Sequence, residues 1–373
     1  MSNILLAMSG GIDSSVCGML LIDKGFKVQG VTYRTYDSVS KGCMEKETGC
    51  CTVESIMEAK HLAEKLGIEH TIIDLRAKFK ETIIADFVNE YLAGRTPNPC
   101  VVCNSSIKWG QLLKIADELG CEKIATGHYA QVKHENGRYF LSMGVDLLKD
   151  QSYFLWNLSQ EDLSRTLFPI GAYTKPEIRM LAGEKGFVKL SQKKESQEIC
   201  FIPDDDYRRF LNENEPDKIK KIGEGDFVLA DGTVVGKHLG YPFYTIGQRK
   251  GLGVALGEPY FVTKIDAESN KITLGKRTEL EVDTVYITKV NLMKYAKIPE
   301  SGMEVDVKIR YRSTAQKAIV KPTENGLMIQ FSGGVSAVTP GQSAVFYEGT
   351  DVVGGGVIDR AICSGIEPEM RSV

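Results

Sequence analysis

The chain has 373 residues, enough for two or three domains with full-sized cores. Its hydrophobic and charged fractions, 42% and 25%, are those of a globular protein in water. No apolar run is long enough to span a membrane, and the first one is too short for a secretory leader, which Asn3 also interrupts. A formal net charge of −3 excludes bulk electrostatics as a means of holding nucleic acid, so local patches would have to do it. In the cytoplasmic setting this implies, nine cysteines read as thiols, catalytic groups or metal ligands rather than a disulfide framework.

Ile4–Met8 is a short apolar run that suits a strand buried on both faces. Ser9, Gly10 and Gly11 break it. Asp13 or Ser14 is placed to cap a helix with Val16, Met19 and Leu20 inside, ended by Gly25. Lys27–Tyr33 reads as the next strand. Strand, glycine turn and helix N-terminus together make an anion site, because backbone N–H groups and the helix dipole face whatever binds there. The loop lacks the Gly-Lys-Ser/Thr of the Walker pattern and the third glycine of the dinucleotide pattern.

Thr52 is placed to cap a helix with Val53, Ile56, Met57, Ala63 and Leu66 inside and Gly67 at its end. His70–Asp74 reads as a strand, and Lys78–Ala93 as a helix with a stripe of Phe79, Ile83, Phe87 and Tyr91. The prolines of Arg95–Asn104 predict a stiff loop carrying Cys100 and Cys103. Ser106–Leu119 reads as a helix and Lys123–Thr126 as a strand. This rhythm predicts a doubly wound parallel sheet with its site at the carboxyl ends of the strands. Residues 150–200 are helical in outline, with Thr174, Pro176 and Glu177 opening one helix. Short apolar runs and glycine turns then predict all-β structure. The expected division is 1–204, α/β; 205–282, β-rich; and 283–373, a β-barrel.

Ser9-Gly-Gly-Ile-Asp-Ser14 resembles the SGGxDS loop of the PP-loop ATP-pyrophosphatases. Thr96-Pro-Asn-Pro-x-x-x-Cys-Asn104, Thr126-Gly-His-Tyr-Ala130, Lys149-Asp-Gln-Ser-Tyr-Phe154, Ile199-Cys-Phe-Ile202, Gly236-Lys-His-x-Gly240 and Thr245–Gly253 follow in order. Together they resemble the bacterial tRNA-specific 2-thiouridylase family. The resemblance implies ATP-dependent replacement of the wobble uridine 2-oxygen by sulfur. ATP would adenylate that oxygen with loss of pyrophosphate, and a cysteine persulfide would deliver sulfur.

By the same resemblance Ala7, Met8, Ser9, Gly10, Gly11, Ile12, Asp13, Ser14, Tyr33 and Gly127 border the nucleotide. Cys200 carries the persulfide and Cys103 resolves it, leaving a Cys103–Cys200 disulfide to be reduced. Asn98, Pro99, Cys100, His128, Lys149, Asp150, Gln151, Arg310, Tyr311 and Gln342 match tRNA-contact positions. Arg249, Lys250, Lys308 and Arg312 add charge. A cysteine desulfurase or sulfur-relay protein is the implied donor.

Several readings stay open at this level. Asp13 either holds Mg²⁺ beside the phosphates or caps its helix. His128 either meets tRNA or is a hydrogen-bonded core histidine. Cys100 stands where many members of the family have Asp, which creates a C-x-x-C pair and, with Cys200, a set that would suit a 4Fe–4S cluster. Cys43, Cys50 and Cys51 read as a zinc site, a sulfur relay or unremarkable loop thiols. Cys17, Cys121 and Cys363 read as small buried hydrophobes. The rivals are a PP-loop ligase of another substrate, a cluster-dependent sulfurtransferase, and a tRNA-binding protein without catalysis.

Overall fold

In the computed structural model, which describes residues 2–36, 53–192 and 199–362, Ile4, Leu5 and Leu6 are shut off from solvent. Burying each such side chain stabilises the fold by about 1.5–3 kcal/mol. They lie in β1 (Asn3–Ala7), and α1 (Ile12–Asp23) follows at once. Next come β2 (Lys27–Arg34), α2 (Val53–Leu66) and β3 (Glu69–Asp74). Arg76–Phe79, Lys80–Ile84 and Ala85–Leu92 run on as one helix, α3. Pro99–Val102, Cys103–Trp109 and Gly110–Glu118 do the same as α4, whose middle portion is wound as a π-helix. β4 (Lys123–Ala125), the hairpin β5 (Ala130–Glu135) and β6 (Arg138–Met143), β7 (Thr166–Leu167) and α5 (Lys175–Glu184) complete this half.

The sheet order is β3-β2-β1-β4-β7, and every pairing in it is parallel. Successive strands move outward from β1 in one direction and then in the other. The switch point therefore falls between β1 and β4, where open α/β sheets bind ligands. Helices α1 and α2 and part of α5 cover one face: Ile4, Leu6 and Met8 pack with Val16, Met19, Ala59, Ala63, Ile178 and Ala182. The sheet belongs to one compact unit of the chain, residues 1–84, 99–206 and 350–353.

The other unit takes residues 85–98, 207–349 and 354–373. It opens with helices α6 (Tyr207–Asn214) and α7 (Pro216–Ile222). A four-stranded sheet follows, formed by β8 (Gly225–Val228), β9 (Val234–His238), β10 (Phe261–Asp266) and β11 (Lys271–Gly275) in the order β10-β11-β8-β9. Then come β12 (Glu281–Leu292), β13 (Met303–Lys308), β14 (Gln316–Thr323), β15 (Gly326–Ser336), β16 (Ser343–Glu348) and β17 (Asp351–Ile362). Their order is β12-β15-β14-β13-β16-β17, and β12 also pairs with β17, so they close into a barrel without free edges.

Four expectations change. Residues 99–105 are helical rather than a loop, because Pro99 takes the first helical position, where its missing N–H costs nothing. Cys100 and Cys103 thus sit one turn apart on a helix. Met57 is 55% exposed, since the inner face of α2 is Ile56, Ala59, Leu62 and Ala63. The β5–β6 hairpin went unread, although Asn136-Gly137 is its turn and both residues have positive φ. The stretch expected to be all-β begins with α6 and α7, whose apolar signal is little more than Phe210, Leu211 and Ile219. The proposed Thr52 cap, Cys43, Cys50, Cys51 and Cys363 lie outside the described residues; Cys17 and Cys121 are buried as expected.

The packing beneath β4 and β7 is held by one buried polar chain. The Trp109 indole N–H donates to Thr166 Oγ1 at 2.8 Å, and the Thr166 hydroxyl donates to the Asp162 carbonyl at 2.6 Å. Trp109 and Phe168 flank the His128 ring. An ammonium can only donate, so Lys108 Nζ, 3.4 Å away, makes His128 Nε2 an acceptor. The neutral ring then carries its proton on Nδ1 and donates to Thr126 Oγ1 at 2.6 Å. Burial, and then the Lys108 ammonium, push the His128 pKa well below the usual imidazole value. His70 and His238 are lowered as well, chiefly by burial.

Thr166→Val keeps the shape of the site but leaves the indole N–H unsatisfied. It should cost about 1–3 kcal/mol, read from the denaturant midpoint. The three histidines set a pH dependence. In the unfolded chain they protonate near pH 6.5, and in the folded chain only at lower pH. The folded state therefore binds fewer protons, and stability should fall as pH drops from about 6.5 through the lowered values. His128→Gln should flatten that decline in thermal unfolding measured against pH.

Candidate active site

The turn between β1 and α1 is shaped by two glycines. Gly10 adopts φ +71°, and a side chain there would run into the Ser55 carbonyl. Gly11 takes the cap position of α1 with extended backbone, φ −87° and ψ 162°. Neither Asp13 nor Ser14 caps the helix, as the sequence had allowed. Ser14 Oγ instead accepts from the Ser9 N–H at 3.2 Å and donates back to the Gly11 carbonyl, closing the turn on itself. Ser15 Oγ donates to the same carbonyl at 2.7 Å. A helix start leaves its first-turn N–H groups without intrahelical carbonyls, an arrangement that suits an anion.

Gly127, just beyond β4, closes the turn from the other side of the switch point. A Cβ on Gly127 would lie 2.7 Å from the Ser14 nitrogen and 2.8 Å from the Asp13 carbonyl carbon. Asp13 is neither a cap nor an open metal ligand. Lys175 Nζ donates to both of its carboxylate oxygens, at 2.8 and 2.9 Å, and the Tyr129 hydroxyl donates to Oδ1 at 2.7 Å. Lys175 and Tyr129 escaped the sequence reading. The Thr174-Lys-Pro-Glu177 helix start held the signal for Lys175, but only the fold brings it to Asp13.

On the other flank, Thr32 Oγ1 donates to the Met8 carbonyl at 2.7 Å, so His70 Nε2–H must donate to Thr32 at 2.8 Å. This fixes the end of β1 and leaves His70 Nδ1 buried with no hydrogen-bond partner among the described residues. Ala7 ends β1 in register with Val31. Tyr33, near the carboxyl end of β2, has a buried hydroxyl likewise without a partner among the described residues, and burial raises its pKa.

The thiols fall into two places. Cys100, exposed, and Cys103, half-buried, occupy successive turns at the start of α4, with the Lys108 ammonium in electrostatic reach of Cys100. Cys200 is exposed beside Phe201, which is only 2% exposed. Phe201 packs edge-on against Phe79, 5.7 Å between ring centroids, and Tyr36, 6.3 Å. That wedge anchors Cys200 near the carboxyl end of β2. Among the described residues no three His, Cys, Asp or Glu side chains converge to hold a metal, so Cys100, Cys103 and Cys200 are not preassembled for a cluster.

The positions matched to tRNA contacts differ in what their side chains do. His128 is half-buried, its ring flanked by Trp109 and Phe168. Lys149 and Gln151 are half-buried. Gln151 Oε1 accepts from the Tyr129 N–H, and the Gln151 N–H donates to the Tyr129 carbonyl, which ties this segment to the residue holding Asp13. Asp150 is 4% exposed, and its carboxylate accepts from the Gly144 and Ser152 N–H groups and the Ser152 hydroxyl.

In the other unit, Arg310 donates to the Ala337 carbonyl, Thr339 Oγ1 and the Ile246 carbonyl, and Gln342 donates to the Thr96 and Pro97 carbonyls just before Asn98. These two side chains, like Asp150, brace backbone. Tyr311 is half-buried and Pro99 buried. Arg249 and Lys250 are exposed, and Arg249 borders a cavity of about 260 Å³ lined also by Leu252, Val254 and Tyr260.

Three family models match in succession: the tRNA methyl transferase HUP domain over residues 2–204, the tRNA methyl transferase PRC-barrel domain over 209–276, and the aminomethyltransferase beta-barrel domain over 282–358. Curated relatives match along nearly their whole length. A tRNA-specific 2-thiouridylase MnmA of Amoebophilus asiaticus is 53% identical over 95% of this chain and 94% of its own. Proteins of the same name from Cytophaga hutchinsonii and Salinibacter ruber are 49% and 50% identical, each over 95% of this chain and over 96% and 94% of their own. The chain belongs to the tRNA-specific 2-thiouridylase family.

Proposed function

We propose that this chain is an ATP-dependent tRNA 2-thiouridylase. The observation that carries the reading is the glycine-bounded N-terminus of α1 at the switch point of a parallel sheet, in the same unit as Cys103 and Cys200. The first-turn N–H groups would take the ATP phosphates, with Ser9, Gly10, Gly11, Ile12, Asp13, Ser14 and Gly127 around them. Ala7, Met8 and Tyr33 would border adenosine. Two matching family models carry methyl-transfer names. A phosphate-binding turn and two accessible thiols suit sulfur transfer through an adenylate better.

The uridine C2 carbonyl is a poor electrophile until its oxygen attacks the α-phosphate and expels pyrophosphate. A persulfide on Cys200 then attacks C2, and AMP departs with the oxygen. The Cys103 thiolate attacks the Cys200 sulfur, which releases the new thiocarbonyl and forms a Cys103–Cys200 disulfide. A dithiol reductant restores both thiols. Because C2 is inaccessible in a stacked loop, the base must be turned out. Asn98, Pro99, Cys100, His128, Lys149, Asp150, Gln151, Arg310, Tyr311 and Gln342 would shape the tRNA site, with Asp150, Arg310 and Gln342 acting through the backbone they brace.

Mg²⁺ would arrive on the ATP phosphates, since Asp13 is engaged by Lys175. The cysteines do not fit a cluster as they stand, and the sequence of steps uses none. The sulfur would come from a cysteine desulfurase or a relay protein, in the cytoplasm. Among the described residues no helix is long and apolar enough to cross a membrane. Division at residues 204 and 282 would separate catalysis from two β-rich tRNA-binding parts.

With ATP, Mg²⁺, a persulfide donor and unmodified tRNA, the protein should release AMP and pyrophosphate and form 2-thiouridine. Release of ADP instead would refute the reading. Cys200→Ser should abolish thiolation while ATP affinity stays within about twofold. Gly127→Ala, whose methyl group meets the first turn of α1, should raise the KM for ATP about tenfold or more.

A further inference from the structure

Asp13 raises a physical problem. A carboxylate in the first turn of α1 competes with a phosphate for the same N–H groups and the same positive helix end, and it repels the incoming anion. The protein meets this with Lys175. Its side chain is only 7% exposed, and its ammonium spans both oxygens of Asp13. A cation in the first turn of α5 is unfavourable for that helix. The helix start has its own capping box, in which the Thr174 N–H donates to Glu177 at 2.7 Å. A buried ammonium is costly unless paired, and Asp13 supplies that pairing. Its place is explained by Asp13. Tyr129 adds a hydroxyl to the same carboxylate, and its ring lies 5.7 Å from the Lys175 nitrogen.

We propose that Lys175, assisted by Tyr129, is the positioning residue of the nucleotide loop: it holds and neutralises Asp13, so that ATP phosphates meet backbone N–H groups instead of a carboxylate. This rests on the nucleotide reading above. The pair also pins α1, the segment after β4 and α5 to one point, so the turn keeps its shape before ATP arrives.

The test is a double-mutant cycle read as ATP affinity by titration calorimetry in EDTA, using the full chain. Lys175→Met should weaken ATP binding about tenfold or more in the wild-type background and change it less than twofold in an Asp13→Asn background. Lys175→Arg should restore most of the affinity. Tyr129→Phe, which keeps the ring and the fold, should weaken binding a few-fold, again only while Asp13 carries its charge. Equal losses in both backgrounds would mean that Lys175 touches the phosphates itself, and would overturn the proposal. So would Lys175→Met protein that folds, by its thermal unfolding, and binds ATP as tightly as wild type. Wild-type protein that binds no ATP would overturn the nucleotide reading first, and this proposal with it.

Discussion

The backbone at Gly127 comes so close to the first turn of α1 that no side chain fits between them. That approach joins the two directions of the sheet. On one side stands β1, with its wholly buried Ile4, Leu5 and Leu6. On the other, Ile124 and Ala125 of β4 are equally buried. Because both strands end at the same level, the glycine turn after one and the glycine after the other form a single rim. The remaining features of the site are arranged around this rim. Thr32 and His70 steady the end of β1, Tyr129 and Lys175 steady Asp13, and Phe201 wedges the Cys200 segment against Phe79 and Tyr36.

The doubly wound sheet could be read from the sequence because β1 is a continuous apolar run and the strands alternate with helices ended by glycines such as Gly25 and Gly67. In the barrel, short apolar runs between glycine turns made β13 to β16 legible, while β12 and β17, which close it, were not read as strands. What misled was local chemistry with two meanings. Pro97 and Pro99, six and four positions before Cys103, suggested a loop, yet the second opens a helix. Asp13 invited the choice of metal ligand or cap, and the partner that decides the matter stands 162 residues away. No spacing rule reaches that far; only the topology brings α5 to α1.

Arg310 and Gln342 make a related point. Charged and amide side chains in a chain that handles nucleic acid invite assignment as contacts, but here their hydrogen bonds are made internally. Such residues influence a binding surface by fixing the backbone that displays it. Their loss would be felt as a loosened loop rather than as a missing phosphate contact.

The π-helical stretch Cys103–Trp109 gives α4 an uncommon property. It lets one helix carry Cys100 and Cys103 at its start while burying Trp109 completely and keeping Lys108 beside His128. A π-turn differs from an ordinary turn by one extra residue, and one residue of α-helix is a rotation of about 100°. Loss of a single residue between Cys103 and Lys108 would therefore swing both thiols around the helix axis while Trp109 stayed in place.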